Sequence, residues 1–140
     1  MTPFLKSLIN RSCFTVRANS SISKVIEKLC QYNIGAVVVT SDENAVEGII
    51  SERDIVRLLA KSKSIDDLVA SDIMTKDVVT VVPSVSSADL MKIMTEKKFR
   101  HLPITSKRKL VGVVSIGDVV KRMLEKYEVE AEQMRSFINS

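Results

Sequence analysis

The chain has 140 residues, 45% hydrophobic and 27% charged, which suits one compact globular domain and argues against a disordered segment. No apolar run approaches the roughly 20 residues that span a bilayer. The opening Met1-Thr2-Pro3-Phe4-Leu5-Lys6 has none of the basic start, long apolar core and small-residue cleavage site of a secretory leader, so a cytoplasmic setting is expected.

In chain order, Phe14-Thr15-Val16 reads as a short strand, followed by a helix with Val25, Ile26 and Leu29 at i, i+1 and i+4. Cys13 and Cys30 lack a C-x-x-C spacing and are expected to be small buried hydrophobes in a reducing compartment. Val37-Val38-Val39 is a β-branched strand, Ser41-Asp42-Glu43-Asn44 a turn, and Gly48-Ile49-Ile50 the end of a second strand. After Ser51 a helix carries Ile55, Val56, Leu58 and Leu59, and Lys61-Ser62-Lys63-Ser64 reads as a linker. The order then restarts. A strand over Val78 to Val81 precedes a helix with Leu90, Met91 and Met94. The strand Leu102-Pro103-Ile104 follows, where a residue without an N–H calls for an edge or an interruption. A last strand ends at Val114, and a helix after Ser115 carries Val119, Val120, Met123 and Leu124.

The two halves are one duplication. Gly48-Ile49-Ile50-Ser51-Glu52-Arg53-Asp54-Ile55-Val56 returns as Gly112-Val113-Val114-Ser115-Ile116-Gly117-Asp118-Val119-Val120, 64 residues later, while the segments upstream match at a shift of 65. The single-residue difference falls between Val39 and Gly48, at the turn. A β-α-β-β-α unit of this length is marginal alone. The expected fold is therefore mixed α/β (α+β): two such repeats, 1–64 and 65–124, packed sheet to sheet about a pseudo-twofold axis, with a helical extension over 125–140.

The pattern Gly-h-h-Ser-x-x-Asp-h-h that closes each repeat resembles the nucleotide-binding signature of cystathionine-β-synthase (CBS) repeats. Ser71-Asp72-Ile73-Met74-Thr75 is similar to the usual opening of a second repeat, and Arg100-His101-Leu102-Pro103-Ile104 to its central strand. The first repeat departs from the pattern. Its opening Ser7-Leu8-Ile9-Asn10-Arg11 lacks the Asp and the Met-Thr, and Gly35-Ala36 stands in place of Arg100-His101, so the two sites are expected to differ. The resemblance implies a stand-alone pair of repeats, without catalysis, that binds an adenine nucleotide in clefts lined by both. AMP is the first candidate, with ADP, ATP and NAD(H) as alternatives. It also implies that Thr15, Ala36 and Val37 on one side, and Met74, Thr80, Leu102 and Pro103 on the other, flank the base, and that Arg100 or His101 reaches a phosphate.

The residues suit such a ligand. An ionised Asp accepts hydrogen bonds through two oxygens, so Asp54 and Asp118 can take ribose hydroxyls. Ser51 and Ser115 stand at helix N-termini, where unpaired N–H groups and the dipole favour phosphate, and each can add a hydroxyl. Gly48 and Gly112 let a backbone or a flat base come close. Arg53 could face phosphate or water. Ser-x-x-Asp before an apolar run is equally a helix capping box, and the two roles are compatible.

Lys97, Lys98, Arg100, Lys107, Arg108 and Lys109 make 97–117 basic with no acid, which supports an anion site in the second repeat, whereas 42–54 is acidic. His101 is the chain's one histidine, so no metal site is expected. In the last helix Val120, Leu124, Tyr127, Ala131, Met134 and Ile138 follow steps of 4, 3, 4, 3 and 4, a seam that reads as a homodimer contact. Antiparallel pairing would set acidic against basic repeats. With four glycines, neither a G-x-G-x-x-G loop nor a P-loop can be drawn. Other classes are a ligand-free interaction or dimerisation subunit, an unidentified effector protein as partner, and nucleic-acid binding, which the lack of interleaved aromatics beyond Phe99 disfavours.

Overall fold

The computed structural model describes residues 3–9, 14–61 and 64–139. Cys13, Asn10 and Arg11, and Ser62-Lys63 of the expected linker, lie outside them. The elements run α1 (Pro3–Ile9), β1 (Thr15–Val16), α2 (Ile22–Gln31), β2 (Ala36–Thr40), β3 (Val46–Ser51), α3 (Glu52–Ala60), α4 (Ala70–Ile73), α5 (Ser87–Lys97), β4 (His101–Ser106), β5 (Lys109–Ser115) and α6 (Ile116–Asn139).

The repeated helices start and stop for the same reasons. Ser21 accepts a hydrogen bond from the Lys24 N–H at the head of α2, and Ser86 accepts one from the Asp89 N–H at the head of α5. Ile22, Val25 and Leu29 bury one face of α2, and Leu90 and Met94 one face of α5. Each helix is followed by a left-handed residue, Asn33 (φ 50) or Lys98 (φ 59), that turns the chain back into a strand.

In the first sheet β1 runs parallel to β2 and β2 antiparallel to β3; in the second, β4 and β5 pair antiparallel. Both hairpins carry a bulge at the matching place, Val39/Thr40 and Ile104/Thr105. The one-residue difference between the repeats sits at the hairpin tips. The first hairpin closes through Ser41–Ala45 with Asn44 at φ 63, whereas the second turns on Lys107 (φ 52) and Arg108 (φ 66) alone. The tips meet: the Leu110 N–H donates to the Asn44 carbonyl (3.0 Å), and Asn44 Nδ2 donates to the Leu110 carbonyl (2.9 Å). Val38 is buried on the opposite sheet face from Val37 and Val39, as is Pro103 at its equivalent place between Leu102 and Ile104.

The expected strand over Val78 to Val81 contracts to a single parallel bridge, Val81 to Ile104. The register explains this. In the first repeat the Val38 N–H donates to the Phe14 carbonyl (3.4 Å). The equivalent of Val38 is Pro103, which has no N–H to offer Val79. Only the bonds on either side of Ile104 remain, Val81 N–H to Pro103 (3.0 Å) and Thr105 N–H to Val81 (2.8 Å).

The apolar residues form two clusters, and each repeat's opening segment lies in the other's. Leu5 and Leu8 of α1 pack with Val81, Leu90, Met94, Leu102, Ile104, Val114 and Val119, all of the second repeat. Ala70, Ile73 and Met74, with Ile65 and Leu68, pack on Val16, Val25, Val37 and Ile50 of the first. Thr75 exchanges backbone hydrogen bonds with Ile49 (3.0 and 3.1 Å), covering the outer edge of β3. Gly48 and Gly112 serve this exchange, Gly48 facing the Met74 side chain and Gly112 the Leu8–Ile9 backbone.

Cys30 is exposed with a free thiol, contrary to the expected burial, because it stands on the solvent side of α2. Beyond Met123 every described residue of α6 is exposed. Among the described residues no helix is long and apolar enough to cross a membrane.

Candidate functional site

The two strand-to-helix junctions are built alike. At the first, the Ser51 N–H (2.8 Å) and hydroxyl (3.2 Å) both donate to Oδ2 of Asp54. At the second, the Ser115 N–H (2.9 Å) and hydroxyl (2.9 Å) donate to Oδ2 of Asp118, and the same hydroxyl accepts from the Asp118 N–H (3.2 Å). The capping role is therefore present at both ends. It spends each serine's hydroxyl proton on its own aspartate, so a phosphate would have to be met by backbone N–H groups and cations. The first N–H of each helix is also engaged, Glu52 to the Gly35 carbonyl (3.0 Å) and Ile116 to the Arg100 carbonyl (2.8 Å). What the caps achieve is placement: each carboxylate is held half-buried at a cleft.

One cleft, of about 430 Å³, is lined by Ser115, Asp118, Val113 and His101 of the second repeat and by Phe14, Asn33, Ile34, Gly35 and Ala36 of the first, with Leu8. Phe14 stacks on Tyr32, ring centroids 4.0 Å apart, so a flat aromatic platform borders this cleft. The other, of about 570 Å³, is lined by Ile49, Ser51, Glu52, Arg53, Asp54, Val56 and Arg57, with Gly35, and by Thr75, Lys98, Phe99, Arg100 and His101 from the second repeat. The walls are pseudo-twofold copies: Asn33-Ile34-Gly35-Ala36 answers Lys98-Phe99-Arg100-His101, and Val113, Ser115 and Asp118 answer Ile49, Ser51 and Asp54. Both clefts are lined by both repeats.

The clefts thus gather Asp54, Asp118, Ser51, Ser115, Arg53, Ala36, Arg100 and His101 from the residues singled out in the sequence. Six others line neither. Val37, Leu102 and Pro103 are buried within the sheets. Met74 is taken up by Gly48. Thr15 is engaged in β1, where its carbonyl accepts from Lys28 Nζ (2.5 Å). Thr80 is exposed just before the Val81 bridge. Two residues of the basic stretch stand at the Asp54 cleft. Lys98 and Arg100 face Asp54 of the first repeat, so basic and acidic segments meet within one chain, in a cleft that also carries Arg53 and Arg57. Lys107, Arg108 and Lys109 are at the hairpin tip.

Sequence reasoning named Lys98 only as part of a basic stretch and missed Phe14, Asn33, Ile34 and Phe99, as well as Arg57 and Thr75. The duplication register held part of the signal: Asn33-Ile34 and Lys98-Phe99 follow the helix and precede the strand at matching places in each repeat. His101 lines both clefts. Burial lowers its pKa below the ordinary 6.5; Glu52 and Asp118 pull the other way, and Arg100 adds to the lowering. Among the described residues no three His, Cys, Asp or Glu side chains are placed to hold a metal ion.

Comparison with known proteins agrees with this architecture. The chain is 30% identical over 125 residues to a mitochondrial CBS domain-containing protein of Arabidopsis thaliana; the match takes in 86% of this chain and 61% of that protein, so the chain spans less than two thirds of that relative. A crystal structure of a CBS-domain containing protein from Agrobacterium tumefaciens superimposes with a TM-score of 0.78 at 38% identity, covering 85% of this chain and 95% of that one. A crystal structure of CBSX2 in complex with AMP shares the fold at 24% identity, with a TM-score of 0.70 and coverage of 82% and 90%. The family model for the CBS domain matches twice, at residues 5–61 and 69–125, and the chain belongs to the CBS domain family as a pair of such domains.

Proposed function

We propose that the chain is a non-catalytic regulatory module that binds an adenine nucleotide in its inter-repeat clefts, AMP first, with ADP, ATP or NAD(H) as alternatives. One observation carries this: a capped aspartate stands at each of two matching clefts, each lined by both repeats. The related structure that holds AMP supports the ligand class. Asp54 and Asp118 receive the ribose hydroxyls, and Arg53, Arg57, Lys98 and Arg100 offset phosphate charge in the Asp54 cleft. The exposed thiol of Cys30 fits a reducing, cytoplasmic setting. Bound ligand acts on an effector only by favouring one conformation or pairing over another. The test is thermal unfolding with AMP, ADP, ATP, NAD(H) and guanine nucleotides. A ligand at 100 times its Kd stabilises by about 2.7 kcal/mol. No shift with any adenine nucleotide removes the proposal.

A second reading, a ligand-free dimerisation subunit, is favoured by α6. Its seam residues Val120, Leu124, Tyr127, Met134 and Ile138 are 43% to 71% exposed, whereas a helix in a protein draws most of its stability from packing an apolar face. We propose that this seam pairs with a second copy, whether or not the clefts are filled.

A further inference from the structure

Two clefts made by a duplication are expected to have separate walls, and almost all of theirs are. The exceptions are Gly35 and His101, which line both. The cause lies in the sequence: where the second repeat has Arg100-His101 the first has Gly35-Ala36, so one imidazole stands where a symmetric pair would have two. Gly35 makes room for it. A Cβ built on Gly35 would stand 2.9 Å from His101 Nε2 and 3.1 Å from Cε1. The ring therefore sits in the partition itself, in the field of Glu52 from the head of α3 and of Asp118 from the head of α6, acids that belong to different clefts. Neutral imidazole has one N–H donor and one acceptor nitrogen, so it cannot offer the same group to both sides at once.

We propose, building on the nucleotide reading of both clefts, that His101 is a contact for which the two ligands compete, so that filling one cleft weakens binding in the other. A sugar or phosphate oxygen that engages the ring on one side fixes its orientation and withdraws it from the opposite side. Gly35 is the seat that lets a single ring reach both. Linkage makes the effect reciprocal: each ligand reduces the affinity of the other by the same factor.

Calorimetric titration with AMP tests this. Asp54→Ala and Asp118→Ala each silence one cleft and give two single-site association constants, and the unaltered chain gives the overall two-site constant. The expected result is an overall constant at least about fivefold below the product of the single-site constants. With His101→Ala in all three backgrounds the two agree. Gly35→Ala, whose methyl crowds the ring off its seat, does the same and guards against a general effect of removing the imidazole. One equivalent of AMP in the unaltered chain that becomes two in His101→Ala is the limiting form of the expected result. Equality in the unaltered chain, a shortfall that survives both substitutions, or one equivalent in both chains overturns the coupling and leaves the nucleotide reading intact. Absence of binding at both clefts by AMP, ADP, ATP and NAD(H) alike removes the nucleotide reading itself, and the coupling with it.

Discussion

Met74 lies over the bare Cα of Gly48: a Cβ built there would stand 2.5 Å from the Met74 Sδ and 3.0 Å from its Cβ. The contact joins the opening segment of the second repeat to the last strand of the first. Gly48→Ala is therefore expected to destabilise the fold by about 1–3 kcal/mol, as overpacking does. In Met74→Ala most of that cost should vanish, because the crowding atoms are gone. Urea unfolding of the two single variants and the double variant measures this; additive losses would show that the strain lies elsewhere.

The aspartate caps separate folding from binding. Asp54→Ala and Asp118→Ala should each cost about 1 kcal/mol of stability, the ordinary worth of a helix cap. Their effect on AMP affinity should exceed tenfold, about 1.4 kcal/mol. Parallel calorimetry and thermal melts check both numbers. If affinity and stability fall by equal amounts, only the capping role stands.

His101 gives stability a pH dependence whose sign follows from burial. Its folded pKa is lowered below 6.5, so between the two values the unfolded chain binds more protons than the folded one. The neutral ring's contribution is complete above about pH 6.5 and is lost as the pH falls through the lowered value. Melting temperature should therefore drop between pH 7 and 5 more steeply in the unaltered chain than in His101→Gln. Identical slopes would show that the ring titrates unperturbed.

Pro103 stops a strand that would otherwise continue. Pro103→Val supplies the missing donor and should extend the Val81 bridge to Val79. The amide created at position 103 should then exchange slowly with deuterium, tens of times or more below the exposed-loop rate. Fast exchange there would mean that Val79 is held away for another reason.

The α6 seam is expected to hold two copies together. Tyr127→Asp or Met134→Asp places a charge in it and should halve the mass seen by light scattering at micromolar concentration. Both positions are exposed, so the melting of a monomer should change by no more than about 0.5 kcal/mol. A monomeric unaltered chain would dispose of the seam.

Much of this molecule is legible in one sequence because it is written twice. The register between Ser51–Asp54 and Ser115–Asp118 marks both junctions, and the one-residue slip locates the hairpin tips. The exchange of α1 and α4 between the two cores is not legible, since the periodicity of Leu5 and Leu8 says that a face is buried but not against which sheet. The cleft walls fail for a related reason. Asn33 and Lys98 look like helix-end residues in isolation, and only the juxtaposition of the repeats brings them beside the other half's carboxylate. Pro103 is intermediate: its missing donor is evident, but its consequence appears only once Val38 is known to be its counterpart.

The crossed-over openings also bear on assembly in time. Leu5 and Leu8 are made well before the strand and helix that enclose them, through Val114 and Val119. Neither half can close its interior unaided, and contacts so distant in sequence form slowly. A cut near residue 64 should thus yield not two small proteins but two incomplete ones, each carrying the plug that the other lacks.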